Sequence, residues 1–227
     1  MEKSKFNRCL FLTAEIAIAI TGVIISLYEY LKKKKKKETT KKLSEEEKRI
    51  IAYHEAGHVV AAQYLKTLDD LEFVTIIPGE DFDGYTYVDI QDKSNIIKTE
   101  WEEYLMYVLG GRVAEKVIFG EVSTASGKDL KRATDIASAM VMSFGMDDEI
   151  GPISFVVDNG QEMNFLGTEI FDKADFRIQT LLKELEERTI KLLTDKKTLL
   201  ERIANELLRK EILFGEDVKI IIEEMKE

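Results

Sequence analysis

The chain contains two histidines, His54 and His58, and both lie in one stretch, RIIAYHEAGHVVAAQYL (residues 49–65). Side chains four residues apart on a helix share a face, so both imidazoles can ligate one ion. Glu55 follows the first histidine directly, within reach of a water at the ion's open coordination position. This is the HExxH arrangement, in which zinc binds the two histidines and the glutamate is the general base. Zinc brings the pKa of a bound water to about 7 and polarises a peptide carbonyl, and Glu55 takes the proton as the water attacks. The flanking residues Ile50, Ile51, Ala52, Val59 and Val60 are apolar. Imidazoles without partners are costly in such surroundings, and a metal satisfies them. A catalytic zinc takes three protein ligands and leaves one position open. No further histidine and no suitable cysteine remain, so the third ligand is an Asp or Glu, and composition does not choose among them.

Positioning such a pair requires a helix, and the sequence supplies its start. Ser44 with Glu47 three residues later is a capping box ahead of apolar spacing, which predicts a helix from about Ser44 to Lys66 with Ile51, His54, His58 and Ala62 on one face. LEFVTIIPGEDFDGYTYVDI (71–90) reads as a hairpin, two β-branched and aromatic runs around the turn-rich GEDFDG. A second helix is expected over about Ile96 to Phe119. VSTASGKDLKRATDIASAMVMSF (122–144) opens with small polar residues and then turns helical. From Thr168 onward, Phe171, Ala174, Ile178, Leu181 and Leu185 recur at helical spacing, with a break expected at LTDKK (193–197) and a last short helix in GEDVKIIIEEM (215–225). That stretch could serve a coiled-coil partner or pack on its own domain. The fold class is mainly α (α+β), with a small β-hairpin or sheet.

At 227 residues the chain is one domain with an appendage, or two small domains. One cysteine, Cys9, excludes an internal disulfide framework and fits a reducing compartment. The net charge of −10 is uneven: residues 1–42 carry eleven Lys and Arg against four acids, a net +7, which leaves −17 on the body. An acidic body lacks the basic footprint that nucleic acid requires. SGKD (126–129) lacks the remaining residues of a phosphate-binding loop, so no ATP binding is expected.

The basic head has its own logic. CLFLTAEIAIAITGVIISLY (9–28) is a twenty-residue apolar run with one charge, Glu15, followed by tyrosines and KKKKKK. About twenty apolar residues span a bilayer as a helix. A cleaved secretory signal would be shorter and end in small residues, and a core helix would not be fenced by lysines. An acid at mid-bilayer costs roughly 2.5–3.5 kcal/mol, so Glu15 is expected to reach the interface or a partner helix. The expected organisation is a short tail (1–8), a transmembrane helix (9–31), a lysine-rich linker (32–43) and a peptidase body (44–227). The lysines place the body on the cytoplasmic side of the cell membrane, single-pass, by the positive-inside bias.

Beyond the motif, YHEAGHVVAA, VTIIPG, LGGRVAEKVIFGEVSTASGKDLKRAT, MVMSFGMDDEIGPISF and TDKKTLLERIANELLRKEILFGEDV follow in order. In this the chain resembles the protease domain of the FtsH-type membrane-anchored zinc metalloproteases, over roughly residues 44–225. The resemblance implies that Asp129, in KDLKRAT, is the third ligand beside His54 and His58. A first-turn carboxylate is favoured at a helix start, which is compatible with that role. It also implies protein or peptide substrates, Zn2+ and hexameric rings. Two departures stand out. Family members place an ATP-driven unfolding module between membrane and protease, where this chain has only residues 32–43 and their neighbours. The family's common STGASND is STASGKD here. The expectation is therefore a membrane-anchored endopeptidase that acts on unfolded or membrane-adjacent segments without its own ATPase. The alternative is a non-proteolytic membrane subunit or adaptor that assembles with full-length relatives or binds substrates.

Overall fold

Ser44 opens the first helix as expected. Its hydroxyl accepts from the Glu47 amide at 3.2 Å, and the Glu47 carboxylate accepts from the Ser44 amide at 2.8 Å. The computed structural model describes residues 43–66, 68–79, 83–90, 95–155 and 167–225. The chain divides into two compact units, Met1–Lys42 and Leu43–Glu227. The expected membrane segment and lysine linker lie outside the described residues. Among those described, no helix is long and apolar enough to cross a membrane.

The second unit runs α1 (Glu45–Tyr64), β1 (Leu68–Thr75), β2 (Tyr85–Ile90), α2 (Lys98–Phe119), a 3-10 turn (Thr124–Ser126), α3 (Gly127–Met142), α4 (Thr168–Asp195), α5 (Lys197–Lys210), β3 (Ile212–Phe214) and α6 (Gly215–Glu224). The unit is mainly helical with one small sheet. Every residue of α1 from Ile51 to Ala62 is buried. A helix covered on all sides must be central, and α1 packs on α2, on α5 and on the sheet. The close crossing of α1 and α2 depends on glycine. A methyl group on Gly57 would collide with the Gly110 carbonyl and sit 2.6 Å from the Ala114 side chain. Helix backbones meet this closely only where side chains are missing.

The sheet is antiparallel with strand order β2-β1-β3. The hairpin is where the sequence suggests, with Val74 opposite Thr86 and Thr75 opposite Tyr85. The third strand is an addition to the sequence reading. It pairs Phe73 with Phe214 and Val74 with Leu213. Glu211 makes the turn into it, ending α5 in the left-handed region at φ 62°. Its carbonyl accepts from the Ile76 amide at 3.0 Å and from the Thr75 hydroxyl at 2.9 Å. The break expected at LTDKK is the boundary between α4 and α5, at Lys196. α6 lies against β1, β3 and α5, so this last helix packs on its own domain.

Candidate metal centre

α1 presents both histidines to one point, and α2 fixes how each ring turns. His54 Nδ1 lies 2.7 Å from Glu115 Oε1, and His58 Nδ1 lies 2.9 Å from the Tyr107 carbonyl. Each partner is an acceptor, so Nδ1 carries the hydrogen and Nε2 of both rings is left as a lone-pair donor. The two Nε2 atoms face one another at 3.2 Å. Ring placement also depends on Gly111, because a methyl group there would overlap the His54 ring.

Asp129 closes the set from α3. Its Oδ2 lies 3.0 Å from His54 Nε2 and 3.4 Å from His58 Nε2. Glu115 reaches into the connection between α2 and α3 and so ties Asp129's helix to His54. Buried on α2, it accepts from the Ser126 hydroxyl at 3.2 Å and from the Ser123 amide. The STASGKD variation does not disturb this arrangement. Gly127 takes ordinary right-handed angles, φ −63° and ψ −37°, so no glycine-only geometry is required there.

Two unprotonated ring nitrogens and a carboxylate within 3.4 Å of one another call for positive charge between them. Burial opposes a charged His54, but the hydrogen bonds to Asp129 and Glu115 outweigh it and raise its pKa to about 10. Burial also opposes ionisation of Asp129, yet the two imidazoles hold its carboxyl well below the usual range. The donor spacing fits a metal ion. Tetrahedral ligands at about 2.0–2.1 Å from zinc stand about 3.3 Å apart. Observed separations of 3.0, 3.2 and 3.4 Å bracket that value. Among the described residues, His54, His58 and Asp129 form the group able to hold a metal ion.

Glu55 sits beside this group, buried, with Oε2 accepting from the Thr86 hydroxyl at 2.6 Å. Burial pushes its carboxyl pKa up, while the neighbouring histidines and Thr86 pull it down. β2 thereby fixes the aim of the carboxylate. All four residues line one cleft of about 580 Å³, together with Thr86 and Tyr107. A cleft holding lone-pair donors arranged for a four-coordinate cation, with a raised carboxyl beside them, is suited to activating water.

Sequence reasoning placed His54, Glu55 and His58 from their spacing, and Asp129 through resemblance. It missed Glu115, Thr86 and Tyr107 as supports. The block GGRVAEK contains Glu115 and carries part of the resemblance, but nothing in its local spacing marks that acid as a partner of His54.

The sequence profile of peptidase family M41 matches residues 41–221. The chain belongs to peptidase family M41. It is similar to the ATP-dependent zinc metalloprotease FtsH of Bacillus subtilis (strain 168), 38% identical over 185 residues, covering 77% of this chain and 29% of the relative. The protein of the same name from Syntrophobacter fumaroxidans is 36% identical over 188 residues, covering 78% and 29%. That from Endomicrobium trichonymphae is 38% identical over 184 residues, covering 76% and 29%. The chain thus matches less than a third of the length of these relatives. In M41 terms it carries the FtsH-type protease domain.

Proposed function

We propose that this chain is a membrane-anchored zinc metalloendopeptidase that hydrolyses peptide bonds of unfolded or membrane-adjacent proteins. The observation that carries this is the His54–His58–Asp129 triangle with Glu55 aimed beside it in one cleft. His54 Nε2, His58 Nε2 and Asp129 Oδ2 would hold the metal. Zinc, when bound, supplies the Lewis acid that makes a water acidic near neutral pH and polarises the scissile carbonyl. Glu55 removes the proton from the attacking water and returns it to the leaving amide nitrogen. Burial raises the Glu55 carboxyl above its ordinary range, which favours its taking up a proton. Thr86 holds the carboxylate in line through its hydroxyl. Glu115 and the Tyr107 carbonyl hold the imidazoles in the ligating tautomer.

The apolar run 9–31 supports an anchor, and the lysines of 32–43 support a cytoplasmic body (44–227). The relatives' name, ATP-dependent zinc metalloprotease, supports zinc and protein substrates. Resemblance alone supports ring assembly with itself or with full-length relatives. Residues 32–43 leave no room for an ATPase between the proposed anchor and the protease body, which supports substrates that are already unfolded or membrane-adjacent.

The test is hydrolysis of fluorescent casein by the full chain in detergent, loaded with zinc, without ATP. Cleavage that disappears in Glu55→Gln is expected. Folded, zinc-loaded protein showing no Glu55-dependent cleavage would overturn the peptidase reading in favour of an adaptor. Alkaline carbonate extraction of membranes tests the anchor, and release of the chain into the supernatant would contradict it.

A further inference from the structure

Arg132, like Arg49, is an arginine of the body without a carboxylate partner among the described residues, and of the two it is Arg132 that lines the cleft. Arg112, Arg177, Arg188, Arg202 and Arg209 each pair with a carboxylate. Arg132 makes no ion pair and no hydrogen bond among the described residues, although the body around it carries a net −17. It lies one helical turn after Asp129 on α3, and it lines the cleft beside the metal centre. Its guanidinium is 5.0 Å from the centre of the Tyr104 ring. That seat on an aromatic face restrains the guanidinium without neutralising it.

The aromatic seat beneath the guanidinium is itself buried. Tyr104 is 6% exposed, and its hydroxyl is the buried side-chain polar atom left without a partner among the described residues. A buried hydroxyl that is not hydrogen-bonded is costly and calls for a partner. The Tyr104 hydroxyl lies within electrostatic reach of Arg132, Asp129 and Tyr85, all of which line the cleft. Tyr104 does not itself line the cleft, so the guanidinium held on its ring is the group in the wall that complements a carboxylate.

The site stands beside the reacting centre and is separate from it. The Tyr104 and Tyr107 rings are 5.8 Å apart, and Tyr107 and His58 are 5.4 Å apart, so the Tyr107 ring intervenes.

We propose that Arg132, seated on the Tyr104 ring, forms a subsite of this cleft that takes an acidic side chain, Asp or Glu, of the bound peptide. The proposal rests on the peptidase reading of the cleft. Arg132 is the specificity determinant, supplying the charge-assisted hydrogen bonds. The acidic body repels anionic chains in general, so this subsite would select an isolated acid within a neutral or basic segment.

Labelled octapeptides of Ala and Leu, with Glu or Gln placed in turn at each position, test it. Binding to the zinc-loaded full chain carrying Glu55→Gln is read by fluorescence polarisation, and cleavage by the parent chain is read separately. At one position Glu should bind at least tenfold tighter than Gln, and the parent should cut the Glu peptide faster by a similar factor. Arg132→Gln should erase the Glu-to-Gln ratio. Arg132→Lys, which keeps the charge and loses the planar fork, should reduce it severalfold. Arg132 is exposed on its helix, so these variants should fold. Equal binding of Glu and Gln peptides at every position, or a ratio unchanged in Arg132→Gln, would overturn the proposal. Cleavage without acid preference would remove the subsite and leave the peptidase reading intact. Acid-selective binding that depends on Arg132 but is followed by no cleavage would do the reverse.

Discussion

Glu115 is 61 positions from His54 in sequence and touches its Nδ1 at 2.7 Å. It also holds the Ser123 amide and the Ser126 hydroxyl, so one carboxylate fixes both the imidazole and the turn that delivers Asp129. Burial opposes its ionisation, but the hydrogen bonds from His54 and Ser123 keep its carboxyl below the ordinary range. Outer partners of metal-ligating histidines are worth about 10–100-fold in metal affinity. Glu115→Gln retains the size and weakens the acceptor. Zinc affinity should fall within that range, measured by competition with a chromophoric chelator, while far-UV circular dichroism stays that of the parent. At this scale the sequence disclosed what local spacing can disclose. His54, Glu55 and His58 are neighbours on one helix, so their chemistry is written in four residues. Glu115, Thr86 and Tyr107 act across 61, 31 and 49 positions respectively. No local pattern encodes contacts of that separation.

Among the elements, the crossing of α1 and α2 decides where the histidines point. Gly57 and Gly110 let the two backbones meet, and α2 then supplies Glu115 and the Tyr107 carbonyl at the right depth. Gly57→Ala should force the helices apart and cost about 1–3 kcal/mol, or roughly 2–4 °C of Tm per kcal/mol, read by thermal melting. Metal affinity should fall with it, because the ring supports move. A second element-scale device joins α4 to the loop after α3. Asp147 accepts from Arg177 Nε at 3.0 Å and from the Glu149 and Ile150 amides at 3.0 and 3.1 Å. Burial opposes its charge, but Arg177 and those amides hold its carboxyl below the ordinary value of 3.8. A depressed native pKa stabilises the fold above the unfolded value and loses that contribution as pH falls through the native value. Asp147→Asn should therefore destabilise by about 1–2 kcal/mol at pH 7. The gap to the parent should close on acidification below pH 4, checked by urea melts across pH. The helices were foreseeable from their periodicity, and the Ser44–Glu47 cap from its spacing. β3 was not. It is three residues long, and it is held to β1 by contacts such as Thr75 with Glu211, which are 136 positions apart.

For the whole molecule, charge separates the N-terminal segment from the body, +7 against −17. The body is an M41 peptidase domain whose central helix, α1, is buried from Ile51 to Ala62 and carries the motif. Burial keeps the HExxH segment rigid, and the cleft opens over it toward β2 and α3. What can reach that cleft sets the biology. A short lysine tether would keep the body near a membrane surface, and the Arg132 wall would choose among the segments presented. The central claim is that His54, His58 and Asp129 bind one metal ion with which Glu55 cuts peptide bonds. Zinc content by mass spectrometry, measured alongside casein hydrolysis on the same purified samples, tests it most directly. The account predicts one zinc per chain in the parent and in Glu55→Gln, with cleavage only in the parent, and loss of both zinc and cleavage in Asp129→Ala. Full zinc content in Asp129→Ala, or undiminished cleavage by Glu55→Gln, would contradict it.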